Sequence, residues 1–188
     1  PDHWDFDLYG PLLGDGGFKL ADAGNLKTSS QDGSGNRALI ETATAEIVAT
    51  GAVPIMLGGD DSTPIPFIKA LAPAGPLTII QVGIRGLGSA RREEVEIARN
   101  WGAQIVTART VHEDGVDAVL QHLPDGANCM ITFDCDALDS GIMPAVMAPT
   151  PGGLTYTQSI DLIAGVVAKA RLVAFDMIEF VPERDPNG

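Results

Sequence analysis

Acidic residues follow short apolar runs at three places in this 188-residue chain. Asp60 and Asp61 come after Val53-Pro54-Ile55-Met56-Leu57-Gly58-Gly59. Asp134, Asp136 and Asp139 come after Cys129-Met130-Ile131-Thr132-Phe133, and Glu179 comes after Leu172-Val173-Ala174-Phe175-Asp176-Met177-Ile178. Carboxylates brought to one spot repel each other unless a cation or a shared proton lies between them. A hard divalent metal ion is the simplest such cation, because it prefers oxygen donors. Asp134-Cys135-Asp136 is the strongest pair. On a strand, residues i and i+2 share a face, so both carboxylates are expected to aim at one place while Phe133 and Cys135 face the other layer. Asp60-Asp61 alone reads first as a turn or helix cap, and Glu179 alone serves equally as a salt-bridge partner. All three together at one sheet edge read as a site.

The elements that must position these residues alternate. Residues 1–36 form a loop-rich, Gly- and Asp-rich opening segment, with Asp5, Asp7, Asp15 and Asp22 among glycines. The spacing of Leu39, Ala43 and Ile47 predicts a helix from about Arg37 to Thr50, with Gly51 after its end. Strands are expected at Ala52–Leu57, Leu77–Ile84, Ala103–Thr107, Cys129–Asp136 and Leu172–Ile178. Helices are expected after Ser62 and ending before Pro73, from Ser89 to Trp101, from about Asp114 to Leu123 and from about Thr157 to Lys169. A Pro/Gly-rich loop spans Ser140–Gly153. Strands alternating with helices, without repeats or a long spacer, predict one α/β domain over 1–188. Its expected form is a three-layer α/β/α sandwich with a mainly parallel sheet. Such sheets place ligands beyond the carboxyl ends of their strands, where the acidic residues fall.

The bulk numbers narrow the partners. A net charge of −13 and 45 % hydrophobic residues fit a globular acidic protein. They argue against nucleic acid, which needs an excess of Lys and Arg, and are compatible with a small cationic substrate. No apolar run approaches the roughly 18 residues of a membrane span, and the Pro1-Asp2-His3-Trp4-Asp5 start does not read as a signal peptide. Cys129 and Cys135, six positions apart on one expected strand and hence roughly 20 Å apart, cannot bridge each other. Free thiols fit a reducing cytoplasm. His3 lies near the start, His112 is expected to open a helix and His122 to end one, and none has a neighbour at ligand spacing. Gly83-Ile84-Arg85-Gly86-Leu87-Gly88 lacks the spacing of a dinucleotide fingerprint. Neither a phosphate-binding P-loop nor a G-x-S-x-G elbow occurs.

Three segments together resemble the ureohydrolases, the arginase/agmatinase family. Pro54-Ile55-Met56-Leu57-Gly58-Gly59-Asp60-Asp61-Ser62 is similar to the family's LGGDHS signature. Phe133-Asp134-Cys135-Asp136-Ala137-Leu138-Asp139, continued by Ala148-Pro149-Thr150-Pro151-Gly152-Gly153-Leu154-Thr155, resembles its SFDxDxxDP…GTPxPGG segment. Asp176-Met177-Ile178-Glu179-Phe180-Val181-Pro182 resembles its DxVExNP segment. The resemblance covers roughly residues 37–188. It implies an arginase-like fold, two Mn2+ ions per subunit, and a metal-activated hydroxide that attacks the carbon of a small cationic guanidino substrate, releasing urea and an amine. It also implies that Asp134 and Asp136 ligate metal, that Asp61 stands where the family usually has its first His ligand, and that Glu179 grips the guanidinium. Asp60 and Asp139 would support these groups from behind. A cytoplasmic homo-oligomer, trimer or hexamer, follows by the same analogy.

The chain departs from the family pattern in two ways. The GGDD form replaces an imidazole by a carboxylate, as in an agmatinase- or guanidinobutyrase-like branch, which hardens the site toward Mn2+. The family's D-x-H-x-D segment, which supplies three metal ligands, is absent: Ile80-Gln81 runs directly into Val82-Gly83-Ile84-Arg85, so a segment is missing near 80–82. Two readings follow, an agmatinase-like hydrolase or a catalytically silent ureohydrolase-like subunit. A deacetylase-like metal enzyme is a more distant third, opposed by the Glu179 segment.

Overall fold

A computed structural model describes residues 4–7, 10–11, 19–71, 77–87 and 90–185. His3, Asp15, Pro73 and Ser89 lie outside the described residues. In chain order the elements are β1 (Trp4–Asp5), β2 (Gly10–Pro11), α1 (Gly33–Ala49), β3 (Ile55–Leu57), α2 (Pro64–Leu71), β4 (Ile80–Ile84), α3 (Arg92–Trp101), β5 (Gln104–Thr107), α4 (Ala108–Asp114), α5 (Asp117–Leu120), β6 (Asn128–Asp134), α6 (Tyr156–Lys169) and β7 (Arg171–Ile178). Short 3-10 turns follow β6 at Cys135–Ala137 and β7 at Pro182–Arg184. The alternating order and the α/β class are those expected from the sequence.

The longer strands pair in parallel, as two groups. β7 lies between β3 and β6, and β4 pairs with β5. Among the described residues no ladder joins the two groups. β7 is buried deepest, with Ala174 and Asp176 both 0 % exposed. Ala174, Met56 and Met130 pack with Ile40 of α1 and with Phe67 and Leu71 of α2. A second apolar cluster joins Ile80 and Val82 of β4 and Val106 of β5 to Ala108, Val111, Ala118 and Val119 of α4 and α5, with Leu154 and Leu162.

Several local expectations shift. Asp32 caps α1, its carboxylate accepting from the Gly35 amide at 2.8 Å. The face of α1 that turns inward carries Ile40 and Thr44, whereas Leu39 is 41 % exposed. The expected helix near 114–123 is two short helices that begin directly after β5, because Thr107 caps α4 by accepting from the Thr110 amide at 3.1 Å. His112 therefore sits in the last turn of α4 rather than at its start, with Nδ1 3.2 Å from Gln158 Nε2. α3 ends at Gly102 with φ +102°, as its sequence predicts. Cys129 and Cys135 are both free thiols. Among the described residues no helix is long and apolar enough to cross a membrane.

Candidate functional site

The register of the three-stranded group explains why the acidic segments meet. Met177 of β7 lies opposite both Leu57 of β3 and Phe133 of β6, and Ile178 lies opposite Asp134. The three strands thus run out at one level. Gly58–Asp61, Asp134–Asp136 and Glu179 all lie within a few residues of that level.

Asp134 is the last residue of β6 and half-buried; its Oδ1 accepts from the Asp136 amide at 2.9 Å. Burial pushes its carboxyl up to about 6, and the charges of Asp136, Glu179 and Asp61 push in the same direction. Those three repulsions place Asp136, Glu179 and Asp61 each within electrostatic reach of Asp134. Asp136 lies in the 3-10 turn rather than on the strand, so the alternation of a strand does not aim it. The strand ends early because the turn begins at Cys135, which is buried, with burial first and then the flanking carboxylates raising its thiol to about 11.

Glu179 is held in an unusual backbone state. Its φ of +61° makes it, among the described residues, the non-glycine in the left-handed region. Its amide donates to the Gly59 carbonyl at 3.0 Å, and its Oε1 accepts from the Asp61 amide at 2.9 Å. The loop after β3 can meet it because Gly58 and Gly59 take φ values of +91° and +94°. Asp61 is exposed.

Two of the six acids are engaged by their own loops. Asp60 Oδ1 accepts from the Ser62 hydroxyl at 2.5 Å and the Ser62 amide at 2.9 Å, and the Ser62 hydroxyl bond chiefly holds this carboxyl below the usual range. Ser62, expected to cap the next helix, donates to Asp60 instead. Asp139 accepts from the amides of Gly141 at 2.8 Å and Gly152 at 2.7 Å, which lower its carboxyl likewise and tie the two ends of the Ser140–Gly153 loop.

Two residues escaped the sequence reading of the site. Arg85, after β4, donates from Nη2 to the carbonyls of Asp136 at 2.7 Å, Leu138 at 3.2 Å and Thr150 at 2.7 Å. Asp176 is 0 % exposed, its Oδ2 accepting from the Thr132 hydroxyl at 3.3 Å while Oδ1 has no hydrogen-bond partner among the described residues. Burial raises it to about 6. A charged type inside an apolar strand was the available signal for Asp176. Arg85 gave none, because its partners are backbone carbonyls distant in sequence.

Four carboxylates are the right chemistry for a hard divalent ion, which prefers oxygen donors and relieves their repulsion. Among the described residues, however, no three of His, Cys, Asp and Glu come close enough together to hold an ion between them. Asp61, Asp134 and Asp136 reach one end of the sheet without closing a coordination shell. Two surface clefts of about 370 and 710 Å3 lie elsewhere, one along α1 and one between α5 and α6.

The sequence profile of the Arginase family matches residues 8–82 and 74–188. The chain belongs to that family. The two matched pieces overlap at residues 74–82, across the start of β4. Over 119 residues the chain is 37 % identical to an N(1)-aminopropylagmatine ureohydrolase of Thermus thermophilus, covering 62 % of this chain and 38 % of the relative. It thus spans well under half the length of that relative. It is 25 % identical to an agmatinase of Pyrococcus horikoshii over 90 % of this chain and 70 % of that one. Among solved structures, agmatine ureohydrolase of Thermoplasma volcanium superposes with a TM-score of 0.81 at 25 % identity, covering 97 % of this chain and 71 % of the other. The fold is arginase-like.

Proposed function

We propose that this chain belongs to a metal-dependent hydrolase of linear guanidino compounds, of the agmatine or guanidinobutyrate type, that releases urea and an amine. The observation that carries this reading is the register that ends β3, β6 and β7 at one level and brings the Asp61, Asp134–Asp136 and Glu179 segments to one edge, where Asp134, raised first by its burial, is also repelled by Asp136, Glu179 and Asp61. Repulsion of this kind is tolerated where a cation is to be bound. Membership of the Arginase family and the names of its relatives supply the reaction class.

In this reading Asp134, Asp136 and Asp61 contribute to holding Mn2+, up to two ions per subunit. When bound, such ions supply Lewis acidity and lower the pKa of water. Glu179 takes the substrate guanidinium by charge-assisted hydrogen bonds, and its strained backbone fixes the direction of approach. Asp60 and Asp139 keep the loops in shape. The overlap of the two matched pieces near residues 74–82 supports a D-x-H-x-D segment missing from this sequence at 80–82. A cytoplasmic homo-oligomer, trimer or hexamer, completes the reading by analogy with the family; free Cys129 and Cys135 agree with a reducing compartment.

A second reading, a catalytically silent ureohydrolase-like subunit, is favoured by the unclosed carboxylate group and by the sheet in two pieces. Urea release from a panel of guanidino compounds, with Mn2+ present, separates the two. Turnover of at least one, with two ions per chain by metal analysis, is the expected result. No urea from any compound, with one ion or none, defeats the enzyme reading and leaves the silent one.

A further inference from the structure

The segment after Glu179 is tied into the middle of the Ser140–Gly153 loop by contacts that the site chemistry leaves unused. Phe180 forms an isolated antiparallel bridge with Val146, and the Val181 amide donates to the Ala145 carbonyl at 2.8 Å. One step along the same register, Met147 falls beside Glu179. Arg184 closes the arrangement. Its Nη1 donates to two consecutive carbonyls, Val146 at 2.8 Å and Met147 at 2.9 Å. Its own amide donates to the Val181 carbonyl at 2.9 Å and completes the 3-10 turn Pro182–Arg184. Ala145 and Val146 are 3 % and 1 % exposed, so the guanidinium grips a stretch that is itself anchored.

Glu179 needs such an anchor. A non-glycine residue stays in the left-handed region only where its surroundings over-determine it. Before it, the β7 ladder runs as far as Ile178, which pairs with Asp134. At Glu179 itself, the bonds to the Gly59 carbonyl and from the Asp61 amide lead to a loop hinged on Gly58 and Gly59. A loop with two such hinges follows Glu179 more readily than it holds it. What fixes the chain after Glu179 is the grip on residues 145–147. We propose that Arg184 is a positioning residue for Glu179. By holding the Val146 and Met147 carbonyls, it keeps Glu179 in its left-handed state and its carboxylate on the Asp61 amide. A guanidinium suits this task because its donors form a rigid planar fork, whereas an ammonium is a point charge on a flexible stem. The consequence for a guanidino substrate rests on the reading that Glu179 takes the guanidinium; the latch itself does not.

The test uses the full chain, metal-free, with amide hydrogen exchange and the Glu179 HN–Hα coupling followed by NMR. Arg184→Gln is expected to quicken exchange of the Asp61 and Glu179 amides at least about tenfold, equivalent to 1.4 kcal/mol. The Phe175 amide, bonded to the Pro54 carbonyl in the body of β7, is expected to stay within about twofold. The Glu179 coupling should move toward that of an extended residue, and Arg184→Lys should restore part of both changes. Should Arg184→Gln fail to fold, Arg184→Lys carries the test, with the same changes in smaller size. Asp61 and Glu179 amides unmoved, or quickened no more than Phe175, overturn the proposal, because a merely structural arginine loosens the fold evenly. Urea release from agmatine with Mn2+ present tests the consequence: KM should rise in Arg184→Gln more than kcat falls. An unmoved KM beside a quickened Asp61 amide counts against Glu179 as the guanidinium group and leaves the latch standing. If the unaltered chain releases no urea, the substrate reading fails separately and the exchange data alone decide the latch.

Discussion

The turn after β6 and the loop after β3 present carboxylates to the same end of the sheet but are held there by opposite means. The first is set from outside by a cation: Arg85 gathers three carbonyls, and Asp139 ties Gly141 to Gly152. The second is set by an acid. Glu179, at φ +61°, grasps the Gly59 carbonyl and the Asp61 amide. Each loop holds one crowded glycine and one in open space, but the crowding differs in kind: a Cβ on Gly153 would meet the Leu138 and Asp139 backbone, whereas one on Gly59 would meet only the Thr63 side chain, and Gly152 and Gly58 face open space. One region is thus held by main chain and a guanidinium, the other by a strained contact that a charged ligand could compete for.

Glycine substitutions make the contrast measurable and carry the largest expected effect. A Cβ on Gly153 would fall on the backbone of Leu138 and Asp139, where Asp139 donates to the Leu154 carbonyl at 3.0 Å. Backbone cannot move aside as a side-chain tip can, so Gly153→Ala is expected to cost about 2–3 kcal/mol. Gly58→Ala meets nothing within 4 Å and pays only for φ +91°, about 1 kcal/mol. Urea unfolding of both variants checks this. Equal losses would mean that the two loops are equally packed and would remove the distinction.

The buried Asp176 gives the next effect. Its carboxyl is raised from 3.8 to about 6, chiefly by burial. Between those values the folded state keeps a proton that the unfolded chain has lost. This contribution therefore stabilises the fold as pH falls from 7 toward 4 and is lost as pH rises through about 6. Asp60 and Asp139 act in the other direction: their lowered carboxyls stabilise above 3.8, and that help is lost as pH falls through their folded values. Asp176→Asn is expected to raise stability at pH 7 by about 2 kcal/mol and to flatten the change between pH 4.5 and pH 7. Denaturant midpoints at those two pH values measure it. An undiminished slope would show that Asp176 is not the group responsible.

How much of this was legible in the sequence depended on whether a residue's partner is local. α6 and β7 lie within a residue of their expected bounds: both are locally determined, the helix closed at its start by the Thr155–Gln158 capping box and the strand a long apolar run. α4 departs from expectation because its start overlaps the end of β5, where Thr107 is a cap as well as a strand former. Asp134, Asp136, Asp61 and Glu179 are legible because each closely follows an apolar run, which puts it at or just beyond a strand end. That Asp136 lies in a 3-10 turn was hidden, since Phe133-Asp134-Cys135-Asp136 alternates as a strand would. Arg85 was hidden for a different reason. Its partners lie 51 to 65 positions away and are main-chain atoms, so no side-chain pattern announces them.

The smallest expected change in stability tests the convergence most directly. Glu179→Gln keeps an oxygen to accept from the Asp61 amide and retains the strained backbone, so unfolding free energy should stay within about 0.5 kcal/mol. It removes one of the three charges that raise Asp134. The Asp134 carboxyl should therefore titrate below about 6, by an amount less than burial contributes, because burial is the leading cause. Carboxyl-detected NMR titration of the metal-free chain follows it directly. An Asp134 value unmoved by loss of the Glu179 charge would mean that the ends of β6 and β7 do not share a site, however well their strands align.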